Sequence, residues 1–73
     1  MSRTRYRVVP YGGTWQLRRE QMPLSNHTLK SDAVDAGRRV AKANAPSQLI
    51  IHKADGTIET EYTYEGDPYP PKG

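Results

Sequence analysis

Two glycine turns, Gly12-Gly13 and Asp55-Gly56, each separate a pair of runs rich in β-forming residues, and one helical repeat lies between the two pairs. Gly-Gly and Asp-Gly supply the positive φ angles of two-residue hairpin turns, whose twist matches that of the strands they join. Tyr6-Arg7-Val8-Val9 and Trp15-Gln16-Leu17-Arg18 flank the first turn, placing strands at about residues 4–10 and 14–20. Gln21 to Asn26 contains Pro23, Ser25 and Asn26 and reads as a connecting loop. From Ser31 to Asn44, Ala33, Val34, Gly37, Val40 and Ala41 recur at three- and four-residue spacing, with Asp32, Asp35, Arg38, Arg39 and Lys42 on the opposite side. This spacing predicts an amphipathic helix, with Thr28 or Ser31 as its cap and Pro46 barring its continuation. Leu49-Ile50-Ile51-His52 and Ile58 to Tyr64 flank Asp55-Gly56 as a second hairpin. The expected architecture is a single α+β domain over residues 4–64, a ββαββ unit with a four-stranded, mainly antiparallel sheet and one helix packed on one face. A proline-rich C-terminal tail, 65–73, follows.

Counting outward from two-residue turns assigns side chains to faces, because directly opposed residues of an antiparallel pair point the same way. Val8 opposite Leu17, Pro10 opposite Trp15, Leu49 opposite Tyr62 and Ile51 opposite Thr60 make an apolar face for the narrow Ala/Val/Gly stripe of the helix. Gly37 lets helix and sheet approach closely. The other face collects Arg7 opposite Arg18, Arg5 opposite Glu20, Val9 opposite Gln16, His52 opposite Glu59 and Ile50 opposite Glu61. Two directly opposed arginines repel. Two readings compete: Glu59 and Glu61 neutralise the pair in a solvated cross-strand network, or the guanidinium groups await an outside anion such as the phosphates of nucleic acid.

A chain of 73 residues buries only about 60% of its unfolded surface, so it forms one domain of marginal stability. Cysteine is absent, which excludes disulfides and thiolate metal sites and leaves self-association as the remaining device. No apolar run approaches the roughly 20 residues of a membrane span, and no signal-peptide core follows Met1-Ser2-Arg3-Thr4-Arg5. A cytoplasmic protein is expected, with no membrane partner. Net charge is +3, but residues 1 to 44 hold nine Lys/Arg against three acids while residues 45 to 73 hold two against five. If the fold keeps these halves apart, one surface is basic.

Arg5, Arg7 and Arg18, with Arg38, Arg39 and Lys42 of the helix, are the candidate nucleic-acid contacts. For the helix cluster, a solvated face complementing the dipole is the commoner arrangement. Val9 and Ile50, apolar on the charged face, and Tyr69 in the tail are the candidate protein-interaction residues. Pro68-x-x-Pro71 is a minimal polyproline pattern. Trp15 reads as core or sheet edge, and Tyr6, Tyr62 and Tyr64 as half-buried strand residues that could also stack on bases. His27 and His52 are isolated, and no nucleophile constellation or metal-ligand spacing accompanies them, so neither catalysis, a metal nor a cofactor is expected.

Several of these segments together resemble a known family. Tyr6-Arg7-Val8-Val9-Pro10 with Gly12-Gly13 and Trp15, then Ala33-Val34-Asp35-Ala36, then Ile51-His52 with Asp55-Gly56-x-Ile58, and last Tyr64-x-Gly66-Asp67-Pro68-x-Pro70-Pro71-Lys72-Gly73, look like the small bacterial and phage proteins called domain of unknown function 2188. The ending is the most distinctive part of the likeness. Leu29 and Ser31-Asp32 depart from the family's threonine-led, glutamate-containing helix start. The resemblance implies a bacterial or phage origin and a compact ββαββ unit, and brings no functional residues. The expected function is that of a small non-enzymatic accessory protein, binding nucleic acid through a basic sheet face or acting as a homodimeric or host-protein-binding module.

Overall fold

A computed structural model of the chain describes residues 3–65. β1 (Thr4–Tyr11) and β2 (Thr14–Arg19) form the first hairpin. Gly12 at φ 53° and Gly13 at φ 82° make its turn, and Thr14 Oγ1 donates to Tyr11 O at 2.7 Å. The pairing is that expected: Arg7 faces Arg18, Val8 faces Leu17, Val9 faces Gln16 and Pro10 faces Trp15.

The expected loop at Gln21 to Asn26 is instead a strand, β3 (Met22–His27), antiparallel to β2. Its turn holds no glycine. Glu20 takes the left-handed backbone at φ 57°, a conformation costing a non-glycine residue roughly 1 kcal/mol or more. Hydrogen bonds offset this: Glu20 N donates to Arg5 O at 2.7 Å, and Glu20 Oε2 accepts from Arg5 N at 3.1 Å. Pro23 is tolerated because β3 lies at the sheet edge, where a missing ladder donor costs least.

The helix α1 (Lys30–Ala43) then carries the chain back over the sheet to β4 (Ser47–His52), which lies parallel to β1, followed by β5 (Ile58–Tyr64), antiparallel to β4. The sheet is therefore five-stranded and mixed, in the order β3-β2-β1-β4-β5, rather than four-stranded and mainly antiparallel. β4 sits inside it, and Leu49, Ile50 and Ile51 are all buried. Leu49 and Ile51 belong to the core beneath the helix, while Ile50 lies on the opposite face of the strand and is still only 4% exposed. A bulge between Ile51 and His52 shifts the last register step, so His52 faces Ile58 and not Glu59. Leu49 opposite Tyr62, Ile50 opposite Glu61 and Ile51 opposite Thr60 follow the expected count.

The helix begins without a side-chain cap: Leu29 holds the N-cap position, and neither Thr28 nor Ser31 serves it. At its other end Asn44 N donates to Val40 O and Ala41 O, and Asn44 Nδ2 donates to Val40 O at 2.7 Å. Ser47 Oγ, fully buried, donates to Ala41 O at 2.6 Å and ties the helix end to β4. The core joins Tyr6, Val8, Leu17, Leu49 and Ile51 of the sheet to Ala33 and Ala41 of the helix, with Trp15, Val34, Val40 and Tyr64 at its margin. Gly37 is the point of closest approach, where an added Cβ would lie 2.9 Å from Leu49 Cδ1 and 3.3 Å from Leu17 Cδ1. Among the described residues no helix is long and apolar enough to cross a membrane.

Gly37→Val forces this contact apart and should cost about 2 kcal/mol, lowering the thermal midpoint on the order of 10 °C in a calorimetric melt. Gly37→Ala should cost less, since its smaller clash is set against about 1 kcal/mol of gained helix propensity. A Gly37→Val protein as stable as the native chain would show that the contact does not limit packing.

Candidate nucleic-acid interface

The helix takes one face of the sheet, and among the described residues no element covers the other. Register lays the side chains of that open face in rows across the strands. One row runs Pro23, Arg18, Arg7, Ile50 and Glu61, from β3 through β2, β1 and β4 to β5. The next contains Asn26, Gln16 and Val9, and on the other side Arg5 stands beside Gln48 and Thr63. Arg7 and Arg18 thus stand directly opposed on the two strands of the first hairpin.

Neither expected neutraliser reaches the pair. Glu59 forms an ion pair with Lys30 at the start of the helix, and Glu61 Oε1 accepts from Gln48 Nε2 at 2.9 Å. Among the described residues the ion pairs are Arg3 with Glu65, at 2.8 Å, and Lys30 with Glu59. Arg7 and Arg18 are held by neutral groups instead. Arg18 Nε donates to Gln16 Oε1 at 2.6 Å. Arg7 Nη1 lies 3.3 Å from His52 Nε2, while His52 Nδ1 lies 2.8 Å from Gly56 O. Gly56 O can only accept, so Nδ1 carries the proton and Nε2 accepts from Arg7. These bonds orient both guanidinium groups and, among the described residues, leave them without a carboxylate partner.

His52 therefore serves in a turn and as an arginine support, not as a partner of Glu59. The same turn is closed by Asp55, whose Oδ1 accepts from Thr57 Oγ1 at 2.7 Å and Thr57 N at 3.0 Å, holding its carboxyl below the ordinary value of 3.8. His27 is engaged with Ser25 Oγ at 2.8 Å. Among the described residues no three His, Asp or Glu side chains converge as a metal site would require.

The other predicted cations lie elsewhere. Arg38, Arg39 and Lys42 stand on the helix, where they border a groove against Tyr62 and Tyr64 of β5. The six candidate nucleic-acid residues thus divide into two separate basic surfaces, Arg5, Arg7 and Arg18 on the open sheet face and the helix three on the helix side. Of the candidate interaction residues, Ile50 is only 4% exposed and Val9 half-buried, so the apolar area expected to want a cover on this face is largely closed. Tyr69 and the Pro68-x-x-Pro71 pattern lie outside the described residues. Sequence reasoning missed Asn26, which β3 brings to the same face, because Pro23 masked the strand that carries it.

A family model described as "Uncharacterized protein conserved in bacteria (DUF2188)" matches residues 6–64. The chain belongs to this family. The match begins within β1 and ends with β5, so it rests on the sheet and helix, and the distinctive ending beyond residue 65 lies outside it. No curated protein and no solved structure matches the chain. Within this DUF2188 fold the arginine pair makes a checkable demand. Inorganic phosphate should raise the thermal midpoint of the native protein more than that of Arg7→Gln/Arg18→Gln at matched ionic strength. Equal shifts in the two melts would mean that the open face takes up no anion.

Proposed function

We propose that this DUF2188 protein is a non-enzymatic accessory protein of a bacterium or phage, acting in the cytoplasm, that binds duplex nucleic acid through the open face of its sheet. The observation that carries the reading is the Arg7–Arg18 pair, two arginines opposed in register with no carboxylate partner among the described residues. An anion spaced like the phosphates of a duplex would relieve their repulsion, and Arg5 extends the charge along β1. Gln48 and exposed Asn26 add amide groups able to pair with base edges on the same face.

Titration of a labelled duplex at about 50 and about 200 mM salt tests this. Binding should weaken steeply with salt, and Arg7→Glu/Arg18→Glu should lose at least about tenfold in affinity and flatten the salt slope by about two. Absence of binding at the lower salt, or an unaffected double variant, would remove the reading.

One observation favours a second reading, a module that pairs with another chain. β3 is an open edge strand with Met22 62% and Leu24 42% exposed, and such edges recruit strands from partners or from a second copy. On this reading, sedimentation equilibrium gives a dimer mass for the native protein and a monomer mass for Leu24→Lys; a native monomer counts against it.

A further inference from the structure

The open groove between α1 and β5 has a volume of about 600 Å³ and is lined by Asp35, Arg38, Arg39, Lys42, Tyr62 and Tyr64. That volume falls within the range of about 300–1,000 Å³ usual for sites of small organic ligands. It exists because the helix packs chiefly over β1, β2 and β4, leaving the inward side of edge strand β5 to two tyrosines. Positions 38, 39 and 42 fall on one side of the helix by their three- and four-residue spacing, so three cations line one wall. Asp35, one turn earlier, is the single carboxylate opposing them.

No ion pair among the described residues involves any of the four. The wall is also pre-arranged. Arg38 Cζ lies 5.0 Å from the centroid of the Tyr62 ring, and Arg38 Nη2 donates to Tyr62 Oη at 3.1 Å. Cation–π attraction and this hydrogen bond hold the guanidinium against the aromatic floor, while Arg39 and Lys42 remain exposed.

From these features we infer that the groove binds single-stranded nucleic acid, one nucleotide at a time occupying it, with the base stacked on the Tyr62–Arg38 pair and the backbone phosphates along Arg39 and Lys42. A bare anion would use the cations and leave the aromatic floor idle. A duplex keeps its bases stacked inside and offers none to the ring, whereas a single strand supplies both a π-face and a phosphate at each step. This site is on the opposite side of the sheet from Arg7 and Arg18, and it stands or falls independently of the duplex reading.

Amide chemical shifts of the full chain, followed during titration with a short oligothymidylate, thymidine monophosphate and inorganic phosphate, test the inference. The oligonucleotide should move the amides of residues 35–42 and 62–64. Arg39→Glu/Lys42→Glu, at exposed positions that leave the fold intact, should weaken binding at least about tenfold. Tyr62→Leu should weaken it by about tenfold, with Tyr62→Phe restoring most of the loss, and Asp35→Asn should tighten it. Arg7→Glu/Arg18→Glu should leave this binding unchanged, which separates its failure from that of the duplex reading. The inference is overturned if shifts are confined to the open sheet face, if Tyr62→Leu binds as the native protein does, or if inorganic phosphate binds as tightly as the oligonucleotide. Equal affinity for thymidine monophosphate would likewise overturn it, in favour of a free-nucleotide site.

Discussion

The approach of helix to sheet at Gly37 underlies the rest of the structure. With no side chain there, Leu17 of β2 and Leu49 of β4 press against helix backbone, and the small residues Ala33 and Ala41 extend the same close seam along one side of the helix. A chain this short has few large apolar residues to bury, so its stability depends on close packing of those it has. The seam also determines which strands the helix covers. It lies chiefly over β1, β2 and β4, which closes one face of the sheet, leaves the opposite face without a covering element among the described residues, and exposes the inner side of β5 as a groove wall.

Both basic surfaces follow from that placement. On the open face the hairpin register sets Arg7 against Arg18, and neutral partners, Gln16 and His52, hold them. On the helix side, three cations face two tyrosines with Asp35 as the local acid. The acids that could have cancelled the first pair are engaged elsewhere, Glu59 by Lys30 and Glu61 by Gln48. Charge asymmetry along the chain thus survives folding at two places. Lys30 adds a further contact: its ammonium stands 5.0 Å from the Trp15 ring centroid while meeting Glu59, so one residue covers the core margin and removes a carboxylate from reach of the arginines.

Much of the first hairpin was legible because glycine turns leave little choice of register: every expected pair from Arg7–Arg18 to Pro10–Trp15 is found. The helix was legible from its spacing, within about one residue at each end, though not its start, since Leu29 supplies no side-chain cap. β3 escaped notice because its turn uses Glu20 at positive φ, where a glycine or asparagine would have announced it, and because Pro23 argues against a strand that does not lie at an edge. The bulge after Ile51 was equally hidden, and it alone moved Glu59 out of register with His52.

Local chemistry was therefore determined by the sequence: the helix, the four strands that flank the glycine turns, and that two arginines must stand opposed in the first hairpin. These depend on φ preferences and on side-chain periods of two and 3.6, which act over a few residues. Only the tertiary structure decided that β4 pairs in parallel with β1, that β5 becomes an edge beside the helix, and that Glu59 turns to Lys30. Strand order and the partners of a charged side chain depend on burying distant apolar runs together. The run Leu49-Ile50-Ile51 is buried on β4 inside the sheet, which leaves β5 as the edge strand beside the helix.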